Sequence, residues 1–506
     1  MNRKLIPAIG IAAAALAVLL AALNMQHGNL NQDEGWYLYA AKMVRDGHAP
    51  YADFAFTQGP VLPHVYAIFY PVVDALGVAG GRLVTTIMGL LAALFAAATA
   101  WRLSEKNKSA AGVAVFLLVA CNVYQSYFTT VVKTYGLCAF FLSVGFFALS
   151  FKNRWGALVC GALLALAAGT RLSAGVVLPV AGVWLLFQRE RRLDWFWFGV
   201  GGGLVLLAVY LPFFVSAFEQ TKFGLLEYHA GRDGGGLGKL LVLKTGFVSR
   251  FVQAYFIFTL LALATFCFSP RESFRNPFAL LLWLCGAGIS LVHLSANFPY
   301  DDYQAIAYPI LATAVATSLL PQLKEKWIAP GLVLLLLSTT AAAFSSPVNM
   351  DWFVRGRDRI WWQFKEQNDL QTLREAAGVV RQNMPEKDVL LTQDTYLAVE
   401  AGVSVPSGME LGPFCYYPDM PREQAEQFHL LNREMLIQLL NQTDAPLAAF
   451  SGYGLAIECP AVAPVAENDA AEFAEIVEAR FEKVEELASF GQAHTTLSIY
   501  KLKDSE

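Results

Sequence analysis

Two adjacent carboxylates, Asp33 and Glu34, stand near the start of the stretch NQDEGWYLYAAKMVRDGHAPYADF at residues 31–54, a few positions past an apolar run. A carboxylate where lipid gives way to water can take the proton of a hydroxyl as that hydroxyl attacks an electrophilic carbon. Asp33 is therefore the candidate base, and Glu34 is a neighbour that orients acceptor or donor. A structural role competes with this one. Asp is a favoured N-cap, and EGWYLYAAKMVRDG reads as a helix stopped by Gly47.

The elements that must position these acids belong to a membrane protein. Of 506 residues 56% are hydrophobic and 15% charged, against about 25% charged in soluble domains. A net charge of −4 without a basic tail or phosphate loop excludes nucleic acid as a partner. Seven cysteines lack C-x-x-C spacing, which argues against zinc, and five of them sit in apolar runs. Cys415 and Cys459 fall in a polar region and can pair if it is extracytoplasmic.

Eleven charge-poor stretches approach the roughly 20 residues a spanning helix needs: 5–24, 83–101, 110–131, 134–151, 155–169, 172–188, 195–218, 251–270, 277–296, 303–321 and 327–346. The stretch 54–73 is also free of Asp, Glu, Lys and Arg, but Pro60, Pro63 and Pro71 would break a helix ladder that lipid cannot repair. It reads as a surface-lying or partly inserted segment. With the N-terminus inside, the inner loops then carry Arg102, Lys106 and Lys108; Lys152 and Arg154; Arg189, Arg191 and Arg192; Arg271 and Arg275; and Lys324 and Lys326. This is the positive-inside pattern of an inner, or plasma, membrane protein. Counting 54–73 as a span would reverse every later cluster.

The expected organisation is a transmembrane module over 1–346, with outer loops 25–82 and 219–250, and an extracytoplasmic α/β domain over 347–506. The N-terminal run reads as an uncleaved first span. In the tail, NDLQTLREAAGVVRQNMP reads as a helix stopped by Pro385, and DVLLTQD, APLAAFSGYGLA and HTTLSIYKL read as strands. DAAEFAEIVEARFEKVEELASF reads as helix throughout.

The stretch DEGWYLYAAKMVRDGHAPYADFAFTQGPVLPHVYAIFYPVVDALGVAGGRLVTTIMGLLAAL resembles the start of GT-C fold membrane glycosyltransferases, in particular the family-39 group. That group contains protein O-mannosyltransferases and bacterial relatives that move sugars from polyprenyl phosphate. The matching positions are Asp33 and Glu34, then Gly47, Pro50, Tyr51 and Asp53, then Gly59 and Pro60, then Arg82. The resemblance implies a polytopic α-helical fold and a polyprenyl-phosphate sugar donor. It also implies an acceptor hydroxyl on protein, lipid or glycan and inversion at the sugar carbon. No cofactor is required by it, although a divalent cation is compatible.

Such a donor leaves as a lipid phosphate that gains charge in the transition state, and fixed cations at the outer interface stabilise it. Arg171, Lys133 and Arg82 end predicted spans on that side, and loop 219–250 adds Lys222, His229 and Arg232 beside a glycine hinge at 234–236. Snorkelling anchors are the alternative for the Lys and Arg residues, and a surface histidine for His229. Tyr37, Tyr51, Asp53, His64 and Tyr303 complete the substrate-loop candidates. Asp301 and Asp302, before the span at 303–321, are weak metal candidates or a helix-capping pair. The other function class is a secondary transporter or flippase. It calls for ionisable residues at mid-membrane depth, whereas these lie at span ends.

Overall fold

A computed structural model describes residues 5–231, 236–268, 275–345, 367–385, 388–452 and 467–503. Contacts along the chain gather into two compact units. One comprises Met1–Met25, Leu83–Tyr210 and Gly234–Trp362; the other comprises Gln26–Arg82, Leu211–Asp233 and Gln363–Glu506.

The first unit is helical. Its elements include α1 (Leu5–His27), whose chain continues through α2 (Gln32–Arg45), α3 (Val61–Ile68) and α4 (Tyr70–Leu76) of the other unit into α5 (Val78–Leu103). There follow α6 (Lys108–Ala120), α7 (Val123–Phe128), α8 (Thr134–Leu149), α9 (Arg154–Thr170), α10 (Val177–Phe187) and α11 (Arg192–Ser216). The later helices are Leu237–Ala254, Phe256–Phe268, Pro277–Ser295, Tyr308–Leu319 and Glu325–Ser345. Among the described residues five helices are individually long and apolar enough to cross a membrane, and a sixth span arises if Leu237–Ala254 and Phe256–Cys267, bent by 93°, count as one. The chain is a multi-pass membrane protein. Each of the eleven apolar stretches contains helix, but several are broken: 110–131 divides into α6 and α7 at Cys121–Asn122. Residues 54–73 form two short helices of 8 and 7 residues, each far below the length needed to cross.

Small residues let these helices approach. The position a Cβ would take on Gly161 of α9 coincides with the Phe198 carbonyl of α11, and that on Gly201 with the Leu158 carbonyl of α9. In lipid, where apolar surface is not driven together by water, such close backbone contact is a main source of helix association.

The second unit carries a four-stranded sheet ordered β1-β2-β4-β3, with β1 at Leu390–Leu391, β2 at Leu447–Phe450, β3 at Phe481–Phe490 and β4 at Thr495–Leu502. β1 and β2 are parallel, β2 and β4 antiparallel, and β3 and β4 form a hairpin. The helix expected through residue 490 stops at Arg480, and FEKVEELASF is strand β3. Glu and Lys are good helix formers, but Gly491 at φ 71° turns the chain back so that the ten-residue strand pairs with β4. Tertiary pairing overrides local preference there. The helix expected before Pro385 is present at Asp369–Asn383.

Candidate active site

The acidic pair lies in the first turn of α2, and the structure gives its two members different surroundings. Asn31 is the N-cap: its side chain accepts from the Asp33 amide, while Glu34 Oε2 accepts from the Asn31 amide at 3.0 Å, completing a capping box. The capping role expected of Asp33 therefore belongs to Asn31 and Glu34. Glu34 is fully buried and holds the Arg82 guanidinium through both oxygens, Nε to Oε1 at 2.8 Å and Nη2 to Oε2 at 2.7 Å. Arg82, also fully buried, donates further to the carbonyls of Gly28 at 3.0 Å and Asn29 at 2.9 Å. Enclosed in this way, Arg82 is the counter-ion that seats the start of α2. Asp33 remains only half-buried, and the Trp36 indole donates to its Oδ1 at 3.2 Å.

The turn leading into α2 is also held from the far end of the sequence. The Leu30 amide donates to Asp369 Oδ2 at 2.7 Å, and the other oxygen of Asp369 faces His494 Nε2 at 3.2 Å. The Gln32 amide donates to Gln492 Oε1 at 2.8 Å. Further along α2, Tyr39 accepts from the Val405 amide at 3.0 Å. At Gly35 a Cβ would meet the Tyr396 amide nitrogen and Thr395 Oγ1, so the residue after the acidic pair must lack a side chain for residues 395–396 to dock. Asp369 and Gln492 carry no sequence signal for this role; only folding brings them to α2. Burial pushes the Asp394 carboxyl up to about 6 and that of Glu410 up to about 7, two perturbed acids that the sequence did not single out.

The element PYADF is a locked turn. Asp53 Oδ2 accepts the Ala49 amide at 2.7 Å and the Tyr51 amide donates to the Phe54 carbonyl at 3.0 Å. Tyr51 sits at φ 68°, an outlier for a bulky side chain. Its ring is buried edge-on to Phe56 and Phe213, and its hydroxyl donates to the Gln58 carbonyl. Tyr37 is buried against Trp36. His64 is exposed, with Nδ1 at 2.7 Å from the Pro60 carbonyl. His229 is half-buried with Nε2 at 2.7 Å from the Thr57 carbonyl, so it braces the prolyl segment of its own unit.

A second polar cluster belongs to the helical unit. Lys133 precedes α8, and its Nζ lies 2.9 Å from Asp302 Oδ2, which also accepts from the Tyr135 hydroxyl at 2.9 Å. Arg171 closes α9, donates to Thr134 Oγ1 at 3.1 Å, and stacks over Tyr303 at 4.2 Å and Tyr135 at 5.0 Å. Four separately chosen residues, Lys133, Arg171, Asp302 and Tyr303, are thus brought together. Behind them His293 Nε2 lies 2.9 Å from Ser173 Oγ and Gln304 reaches His293 Nδ1 at 3.2 Å. Lys222 pairs with Glu227 at 2.7 Å and belongs to neither cluster. Among the described residues no three His, Cys, Asp or Glu side chains converge as a metal site. Asp302, a weak metal candidate in the sequence, is held in an ion pair with Lys133 through Oδ2. Arg232, the side chain of Asp301, and Cys459 with its expected pairing to Cys415 lie outside the described residues.

No family model matches the sequence, and no curated protein matches it. Solved structures match the fold. The structure of ArnT from Cupriavidus metallidurans bound to undecaprenyl phosphate superposes with a TM-score of 0.62 at 13% identity, covering 97% of each chain. The Archaeoglobus fulgidus oligosaccharyltransferase superposes with a TM-score of 0.54 at 13% identity, covering 88% of this chain and 68% of that one.

Proposed function

The chain has the GT-C fold, and from that premise we propose that it is a membrane glycosyltransferase whose base is Asp33. The donor is a sugar carried on polyprenyl phosphate, a class of lipid that one structural neighbour holds. Asp33 takes the proton of an acceptor hydroxyl, whose oxygen forms the new bond to the anomeric carbon. The bond from that carbon to the phosphate oxygen breaks, its electron pair leaves with the lipid phosphate, and the configuration inverts. Within its own unit the Lys133–Arg171 cluster is suited to a lipid phosphate: the planar guanidinium, already oriented by Tyr303 and Tyr135, can meet two oxygens at once. Phosphate must displace Asp302 from Lys133 to use both cations. The short basic loops support putting this chemistry on the extracytoplasmic face.

The observation that carries this reading is the unequal treatment of two neighbouring acids. Glu34 is sealed into an ion pair with Arg82, while Asp33 keeps solvent contact on a helix start held by five backbone and side-chain anchors. Full-length protein in liposomes, given a polyprenyl-phosphate sugar and an alcohol acceptor, tests it. Asp33→Asn should lower turnover by roughly 10²–10⁴, the usual worth of a general base, with the fold unchanged by circular dichroism. Near-normal turnover in that variant removes Asp33 from the role, and solute uptake without sugar release favours the transporter class.

A further inference from the structure

At the opposite ends of α8 and α9 from Lys133 and Arg171 lies a cavity of about 470 Å³ that the transfer reaction does not use. It is lined by Arg154, Glu190, Arg191, Arg192, Asp194 and Trp197, with Leu193. Since α9 runs 17 residues from Arg154 to Thr170, at about 1.5 Å per residue the cavity and the Arg171 cluster are separated by roughly a membrane's apolar thickness. The two cationic places therefore serve opposite leaflets.

Three features point to an anion. Arg191 is committed on two sides, with Nε to Asp194 Oδ2 at 2.8 Å and Nη2 to the Leu149 carbonyl at 3.3 Å. Its remaining nitrogen, Nη1, is buried and meets no acceptor. A buried charged donor left in that condition is costly, and an anion in the cavity that Arg191 lines would offset its charge through space. Arg154 and Arg192 are the first residues of α9 and α11, so their side chains and the amino ends of two long helices converge on the same space. Asp194 is already neutralised by Arg191, leaving Glu190 as the lone opposing charge among the lining residues.

The surroundings say what kind of anion. Trp155 is 60% exposed, Leu193 80% and Phe196 54%, and Arg154 stacks over the Trp155 ring at 5.2 Å. Apolar and indole surface of that extent is stable only against acyl chains and the interfacial layer. A soluble anion has no use for it. We propose that this cavity binds the phosphate headgroup of an anionic phospholipid of the leaflet opposite the transfer site, with its acyl chains along the Trp155–Phe196 surface.

The test is native mass spectrometry of the full-length protein titrated with phosphatidylglycerol, phosphatidylcholine or inorganic phosphate. The double variant Arg154→Gln/Arg192→Gln removes two exposed cations without touching the buried Arg191–Asp194 pair. Phosphatidylglycerol binding should weaken roughly 30-fold in it, the product of two interfacial cations, while Lys133→Gln leaves that binding unchanged. Equal retention of phosphatidylglycerol by the double variant and the parent overturns the site. So does equal, variant-sensitive retention of phosphatidylcholine, and so does binding of inorganic phosphate with no lipid retained. Loss of lipid binding with sugar transfer intact supports it and leaves the catalytic reading separately testable.

Discussion

Glu34 and Arg82 are both wholly enclosed, so either one alone is a liability. Glu34→Gln leaves a buried guanidinium without its counter-charge, a change that costs about 3–5 kcal/mol in comparable pairs. The expected result is a sharply lower thermal midpoint and folded yield, in contrast to Asp33→Asn, whose loss should be confined to turnover. Arg171→Lys is not conservative at a stacked, two-oxygen site. It should lower turnover by about 10²-fold or more and raise KM for the lipid donor while leaving the thermal midpoint near that of the parent. Asp394 and Glu410 supply a pH dependence. Burial raises both folded values, to about 6 and about 7, so in the range between about 4 and 7 the unfolded chain releases protons that the folded chain keeps. Stability from these groups is greatest at low pH, falls as pH rises through that range, and levels off above it. For Asp394 the fall is on the order of 3 kcal/mol. A thermal midpoint of the full chain that declines from pH 5 to pH 8, with a flatter decline in Asp394→Asn, is the expected outcome; identical slopes remove Asp394 as the cause. Asp33 stands out as a candidate in the sequence because an acidic pair beside an apolar run is chemically conspicuous. Asp394 was not, since its environment is made by burial that no local pattern announces.

At the scale of the element, α2 is the part on which the proposed chemistry turns, and its own residues do not suffice to place it. Asn31, Glu34 and Gly47 give the helix its ends, and these were readable as a capping pattern and a stop, although the cap itself is Asn31 and not Asp33. Its docking depends on partners more than 300 positions away: Asp369 on the Leu30 amide, Gln492 on the Gln32 amide, and residues 395–396 against Gly35. Gly35→Ala places a methyl group on the Tyr396 backbone, and nothing flexible stands there to give way. Turnover should fall at least about tenfold, with faster amide exchange across residues 30–36, because the helix start must shift to relieve the overlap. Exchange and turnover both matching the parent would show that α2 tolerates a looser seat. The strand Phe481–Phe490 illustrates the same limit from the other side: its Glu- and Lys-rich sequence favours helix locally, and only the hairpin with β4 reveals it as strand.

For the whole molecule, membership of one compact unit restricts the topology more strongly than hydropathy does. Gln26–Arg82, Leu211–Asp233 and Gln363–Glu506 form a single unit, and the topology read from loop charge expects all three segments on one side of the membrane. A shared side requires an even number of crossings between residues 82 and 211 and again between 233 and 363. Helices counted by length alone leave this open: after residue 233, Pro277–Ser295 and Glu325–Phe344 make two crossings, and the pair bent by 93° adds a third only if it is one span. If the bent pair spans, a shared side requires the short helix Tyr308–Leu319, together with the turns on either side of it, to cross as well. The eleven-stretch reading satisfies both conditions, with six crossings in the first interval and four in the second. Loop charge made the alternation legible, whereas the breaks at 121–122 and 255 that shorten individual helices depend on packing and were not. Alkaline phosphatase, active only outside the cytosol, should be active when fused after Leu502 or inserted after His48, and inactive after Lys106 or Lys152. Activity at Leu502 without activity at His48 would contradict a shared side and with it the unit; activity at Lys106 would reverse the orientation and move Asp33 to the cytosolic face, where the basic loops had been placed.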